Sequence, residues 1–137
     1  MFVVDIAYER GMYPEDVLPP WKRAEEFIKP AVNSWEQRGV VTLTQCFKER
    51  NRHGAKPMML SYCAIYIQLM HWINEEPVRS LQTVPEYLKS MPYAPMNLEE
   101  RLFFILQAPD HHHAFTTLMQ LFSESVKKWA VFQLRNK

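Results

Sequence analysis

Residues 57–74 carry apolar side chains on nearly every side of a helical wheel, and this feature limits most strongly what the chain can become. A helix that is apolar all round must be wrapped by neighbours. The stretch falls short of the ~20 residues a bilayer helix needs, contains Ser61, Gln68 and His71, and runs into Asn74-Glu75-Glu76, so it is expected inside a protein core and not in a membrane. Its polar positions form a strip. Ser61, Ala64, Gln68, His71 and Glu75 lie within about 80° of one another on the wheel, as one exposed edge or as the lining of a cavity.

The covering elements are also predicted to be helical. Trp21, Ala24, Ile28, Ala31, Val32 and Trp35 share one stripe that passes through Pro30, which describes one kinked helix, or two collinear ones, from about Pro20 to Gly39. The β-branched run Val40 to Thr44 suits a strand, but the chain offers almost no second strand to pair with it. It is therefore placed in a helix to about Arg52, with Leu43, Cys46 and Phe47 inward and Gly54 as the stop.

Thr83-Val84-Pro85-Glu86 has the form of a capping box and opens a short helix over about residues 84–90. Asn97-Leu98-Glu99-Glu100 repeats that logic, with Asn97 as cap, for a helix to about Gln107. Pro109 and Asp110 start the last helix, whose stripe is Phe115, Leu118, Met119, Phe122, Val126 and Trp129. Residues 1–10 are a short apolar stretch, helical or extended.

With 137 residues, 47% of them apolar, and only three glycines for tight turns, the expectation is one all-α domain over residues 1–137. It is a compact bundle of about six helices around the central apolar one. Trp21, Trp35, Trp72 and Trp129 are expected to supply its large core contacts. Asp5 among the first apolar residues argues against a secretory leader, and Cys46 and Cys63 are then expected as free thiols in a cytoplasmic protein.

Sixteen basic and 15 acidic residues leave a formal charge of +1, so a polyanionic partner must be met by a local patch. One cluster qualifies. Lys48, Arg50, Arg52 and Lys56 mark the stretch 48–56, either a nucleic-acid patch or a solvated helix end.

Three consecutive histidines, 111–113, cannot converge on one ion from a regular helix, because successive side chains point about 100° apart. The wheel puts His111 in line with Phe115 and Phe122, facing inward, and His113 towards solvent. Were His71 and His111 to meet beside Glu75 or Asp110, a two-histidine, one-carboxylate site would result; otherwise each is an ordinary hydrogen-bonded histidine. Arg101 lies beside the inner face of Leu98, Leu102 and Ile105, where its guanidinium can pair with an inward carboxylate. No glycine-rich phosphate loop, nucleophile elbow or zinc-ligand spacing is present, and no metal or cofactor is called for.

The second half of the chain carries a family likeness. Asn74-Glu75-Glu76-Pro77-Val78, then Asn97-Leu98-Glu99-Glu100-Arg101-Leu102 with Phe104-Ile105 and Pro109, then Ala114-Phe115 with Leu118 and Leu121-Phe122-Ser123-Glu124 ahead of Lys127-Lys128, resembles the small YpoC-like proteins of low-GC Gram-positive bacteria. The likeness spans about residues 57–130. It implies a small intracellular helical protein without an assigned biochemical activity, and it supplies no catalytic residues.

The leading expectation is a non-enzymatic interaction or adaptor protein that meets a protein partner or another copy of itself, with Met58, Met59, Met91 and Met96 lining an adaptable surface or simply filling the core. The alternatives are a metal or small-molecule binder, or a hydrolase, using His71 and His111 within a candidate polar site of His71, Glu75, Arg101 and His111, and a nucleic-acid-associated protein acting through residues 48–56.

Overall fold

Apolar periodicity near 3.6 residues demands helices, and every regular element among the described residues is helical. The computed structural model describes Asp5, residues 18–78 and residues 84–135. After a 3-10 turn, Pro20–Lys22, come α1 (Glu25–Ser34), α2 (Val40–Lys48), α3 (Arg52–Ile73), α4 (Val84–Leu88), α5 (Leu98–Gln107) and α6 (His112–Arg135). The expected all-α bundle around a central helix is what the chain forms. The readings of residues 1–4, 6–10 and Thr83 lie outside the described residues.

The central helix is α3. Twelve of its 22 residues are buried, Ala55 through Ile73, on all sides of the cylinder. It begins at Arg52 and not near Pro57, because the Asn51 side-chain oxygen accepts the Gly54 N–H at 2.9 Å and caps the first turn. Gly54 is thus part of the helix start and does not stop α2. A Cβ there would fall 2.5 Å from Asn51 Nδ2, so glycine lets the cap close over the turn.

Gly39 is likewise not a stop. It ends a π turn, Trp35–Gly39, that joins α1 to α2 in one continuous helical run with Pro30 inside it. A Cβ at Gly39 would sit 2.7 Å from Trp35 Cε3 and 2.8 Å from Tyr62 Cε2. Glycine is required there because α3 approaches so closely.

The main core runs from Trp35 to Trp129. The Trp35 ring stacks on Phe122 at 4.7 Å and meets Tyr62 at 5.1 Å, tying the π turn to both α3 and α6. Trp129 lies against Tyr66 at 5.8 Å and donates its indole N–H to Met70 Sδ at 3.2 Å. Trp21 and Trp72, 6.5 Å apart, belong with Ala24 to a second, smaller apolar cluster. Of the methionines, Met59 and Met70 are fully buried core residues while Met96 is 78% exposed.

Asn97 immediately precedes α5, but in the left-handed conformation (φ 57°) and without a side-chain cap bond. The last helix starts at His112, later than Pro109 and Asp110 suggest. No helix among the described residues is long and apolar enough to cross a membrane.

Candidate functional site

Two of the four candidate polar residues, His71 and His111, sit near opposite ends of α3. His71 is in its last turn, whereas Arg52 at its start holds Asp110, the neighbour of His111, in an ion pair at 3.2 Å. Nineteen residues of helix separate the two ends, about 28 Å at 1.5 Å per residue. The rings do not meet. Among the described residues no three His, Cys, Asp or Glu side chains gather to hold a metal ion.

His71 is 3% exposed; its Nδ1–H donates to the Ile67 carbonyl at 2.8 Å, and its ring stacks on Tyr87 at 5.6 Å. Burial holds its pKa below the ordinary histidine range, against the Ile67 hydrogen bond and the charges of Glu76 and Asp5, which pull it upward. A depressed folded-state value means that the unfolded chain takes up this proton more readily. Its contribution to stability is therefore complete above about pH 6.5 and is lost as the pH falls from there to the folded value. His71→Gln is expected to flatten that acid-side loss, which urea midpoints measured across the window will show; an unchanged pH profile would assign the loss to other groups.

His111 faces solvent, contrary to the inward orientation read from the wheel, with its side chain 52% exposed. The reason is local. It precedes α6, its carbonyl accepting the Phe115 N–H at 3.2 Å, so the helical angle does not apply to it. His113 is exposed, as the wheel predicted, yet its ring edge packs on Phe104 at 5.0 Å.

Glu75 follows the α3 terminus in the left-handed conformation (φ 58°) and is exposed. It borders a cleft of about 360 Å³ with Trp21, Arg23, Trp72, Asn74 and Phe132. The polar strip of α3 is thus neither one edge nor one lining: Ser61 is exposed, Ala64 and His71 are buried, and Gln68 donates to Asp5 Oδ1 at 3.1 Å.

Arg101 does find a carboxylate. Its guanidinium makes a fork to Glu124 of α6 at 2.6 and 3.1 Å and also donates to the Met96 carbonyl at 2.9 Å. The hydrogen bond from Arg101 holds the Glu124 carboxyl below its usual range. The pair fastens α5 to α6 beside an open groove of about 500 Å³ lined by Glu100, Phe104, His113 and Thr117. Its chemistry is that of a clasp.

Neither thiol is disulfide-bonded, and burial pushes the Cys63 thiol up to about 12, far from thiolate chemistry.

The outer face of α5 is the feature sequence reasoning missed. Leu98, Leu102 and Ile105 are buried beneath it, while Phe103 is 59% exposed and Leu106 40%. The two lie within about 60° of each other on the wheel, and Met96, two residues before the helix, is 78% exposed. Counting apolar residues right around α5, and not only on one face, would have found it. Glu99 shares this side of the helix, one turn before Phe103, and other acidic groups are close by. Lys89, just past α4, donates to Glu99 at 2.6 Å, and its pKa is raised by that bond and by the neighbouring charges of Glu99, Glu86 and Glu100.

The profile of the YpoC-like protein family matches residues 25–137. The chain belongs to the YpoC-like family. The match begins well before residue 57, so it takes in α1 and α2 as well as the second half on which the resemblance rested. The chain is similar to the protein described as uncharacterized protein YpoC of Bacillus subtilis (strain 168), 28% identical over 118 residues, 86% of this chain and 71% of that one. No solved structure matches. The six α-helices among the described residues of this YpoC-like chain, the α5 face and the Arg101–Glu124 clasp fall inside the matched stretch, and Asp5 falls outside it.

Proposed function

We propose that this protein is a non-enzymatic interaction module that docks a basic amphipathic helix of a partner protein on the outer face of α5. One observation carries the reading: α5 buries Leu98, Leu102 and Ile105 yet leaves Phe103 and Leu106 exposed, with Met96 exposed just ahead of the helix. Large apolar side chains left exposed together on one helix mark a surface that a partner can cover.

Size and charge select the occupant. Three side chains offer far less than the roughly 800 Å² per partner of a stable protein–protein interface, which suits one docked helix better than a lasting homodimer. A second copy would also set Glu86, Glu99 and Glu100 against the same carboxylates across a two-fold axis, with one Lys89 on each side to offset them. A lysine-flanked helix meets that rim with opposite charge.

The test uses two synthetic amphipathic helical peptides with identical leucine faces, one flanked by lysine and one by glutamate, titrated by fluorescence anisotropy. The lysine peptide is expected to bind, the glutamate peptide to bind at least about tenfold more weakly, and Phe103→Ser/Leu106→Ser to lose at least about tenfold, or 1.4 kcal/mol. Equal binding of both peptides, unchanged binding by the variant, or a homo-oligomer that the variant dissolves would overturn the proposal.

A further inference from the structure

Two sequence features with no evident connection, the basic stretch 48–56 and the histidines 111–113, form one surface in the fold. Phe47 at the end of α2 stacks on Phe115 at 5.4 Å and holds the His112 ring at the same distance, while Arg52 at the start of α3 donates to the Asp110 carbonyl at 3.3 Å. The end of α2, the turn between α2 and α3, and the start of α6 are therefore side by side.

The charge of this end is lopsided. Lys48, Arg50, Arg52 and Lys56 are exposed, and the carboxylates among them are Glu49 and Asp110. Asp110 is occupied by Arg52 at 3.2 Å, with His111 Nε2 at 3.9 Å, and Glu49 accepts from Gln45 at 2.6 Å. Lys48, Arg50 and Lys56 have no acidic partner among the described residues. Arg50 stands in the left-handed conformation (φ 58°) at the tip of the turn, with cations on either side of it in the chain.

We propose that this end of the bundle binds the phosphate backbone of duplex nucleic acid without reading its sequence. Exposed cations spread over one turn and two helix ends suit successive phosphates. No helix is free to enter a groove, because α3 is buried along most of its length and Phe47 is stacked into the core, so base edges are out of reach. Residues 48–56 and 111–113 hold no phenylalanine, tyrosine or tryptophan, and Phe47 is stacked inward, which favours the duplex over single-stranded bases. None of the exposed large apolar side chains belongs to residues 48–56 or 111–113, so nothing on this surface would insert into a lipid layer. This surface is separate from the α5 face, and either proposal can fail alone.

The experiment is anisotropy of a labelled DNA duplex of arbitrary sequence, titrated with the full chain over a range of salt. The three cations without an acidic partner, Lys48, Arg50 and Lys56, predict a slope of log K against log[salt] of roughly −2 to −3. Lys48→Gln/Arg50→Asn/Lys56→Gln, in which asparagine suits the left-handed position, is expected to lose at least about tenfold at low salt and to flatten the slope towards zero. Asp110→Asn releases Arg52 from its carboxylate and is expected to tighten binding and steepen the slope. Lys127→Gln/Lys128→Gln, about 22 Å further along α6, is expected to bind as the unsubstituted chain does. Undiminished binding by the triple variant would overturn the proposal. So would tighter binding to the single strand, or to phosphatidylserine vesicles, than to the duplex.

Discussion

Asp5→Ala is expected to lower the unfolding free energy by about 3–5 kcal/mol, the largest effect of any polar substitution in this protein. The carboxylate is fully buried and accepts three hydrogen bonds, from Gln68 Nε2 at 3.1 Å, Trp72 Nε1 at 3.0 Å and the Val78 N–H at 2.7 Å. It joins the two sides of the α3 terminus, with Gln68 and Trp72 on the helix and Val78 beyond it. Alanine leaves the indole and the Val78 amide buried without an acceptor, at about 1–3 kcal/mol each, and removes the charge-assisted strength of all three bonds.

Asparagine separates charge from geometry. Its single carbonyl oxygen can keep the Trp72 and Val78 bonds while the half-buried Gln68 amide turns over, so Asp5→Asn is expected to cost only about 1–2 kcal/mol. Urea unfolding followed by circular dichroism measures both. A cost below about 1 kcal/mol for alanine would mean that Asp5 does not hold this junction together.

Trp35→Ala is the apolar counterpart, with an expected cost of about 3–5 kcal/mol. The ring is 2% exposed and contacts Tyr62 of α3 and both Phe115 and Phe122 of α6, so its loss opens a cavity shared by three elements. Trp35→Phe keeps a stacking partner for Phe122 and is expected to cost about half as much. Equal losses for the two variants would show that the indole's volume, and not its stacking, is what the core needs.

Helix periodicity was readable wherever local pattern and tertiary packing agreed. The stripe from Ile28 to Trp35, the central run ending at Ile73 and the line Phe115 to Trp129 all lie in helices of the fold, whereas Trp21 sits in a separate 3-10 turn and the helix expected from about Pro20 starts only at Glu25. The β-branched stretch at Val40 joined α2, as the lack of a second strand required.

Long-range contacts were not readable. Gly39 and Gly54 look like stops because glycine commonly follows a helix, and only the approach of Tyr62 and the closure of the Asn51 cap give them their actual roles. Asp5 read only as an argument against a leader, since its partners are 63 to 73 positions away. The inward reading of His111 failed because a helical angle was extended one residue beyond the helix. The Arg101–Glu124 clasp was half visible, with the arginine placed correctly and its partner on α6 unnamed. The meeting of residues 48–56 with 111–113 depends on the Arg52–Asp110 pair, 58 positions apart, which no local pattern encodes.

The central claim, that the outer face of α5 is where a partner is held, is tested most directly by mapping amide chemical shifts of the isotopically labelled chain as the lysine-flanked peptide is added. Perturbations centred on residues 96–107, with the flanking Lys89 amide also moving, are the predicted result. Shifts centred instead on the cleft between Trp21 and Trp72, on residues 48–56, or nowhere on the chain would contradict it.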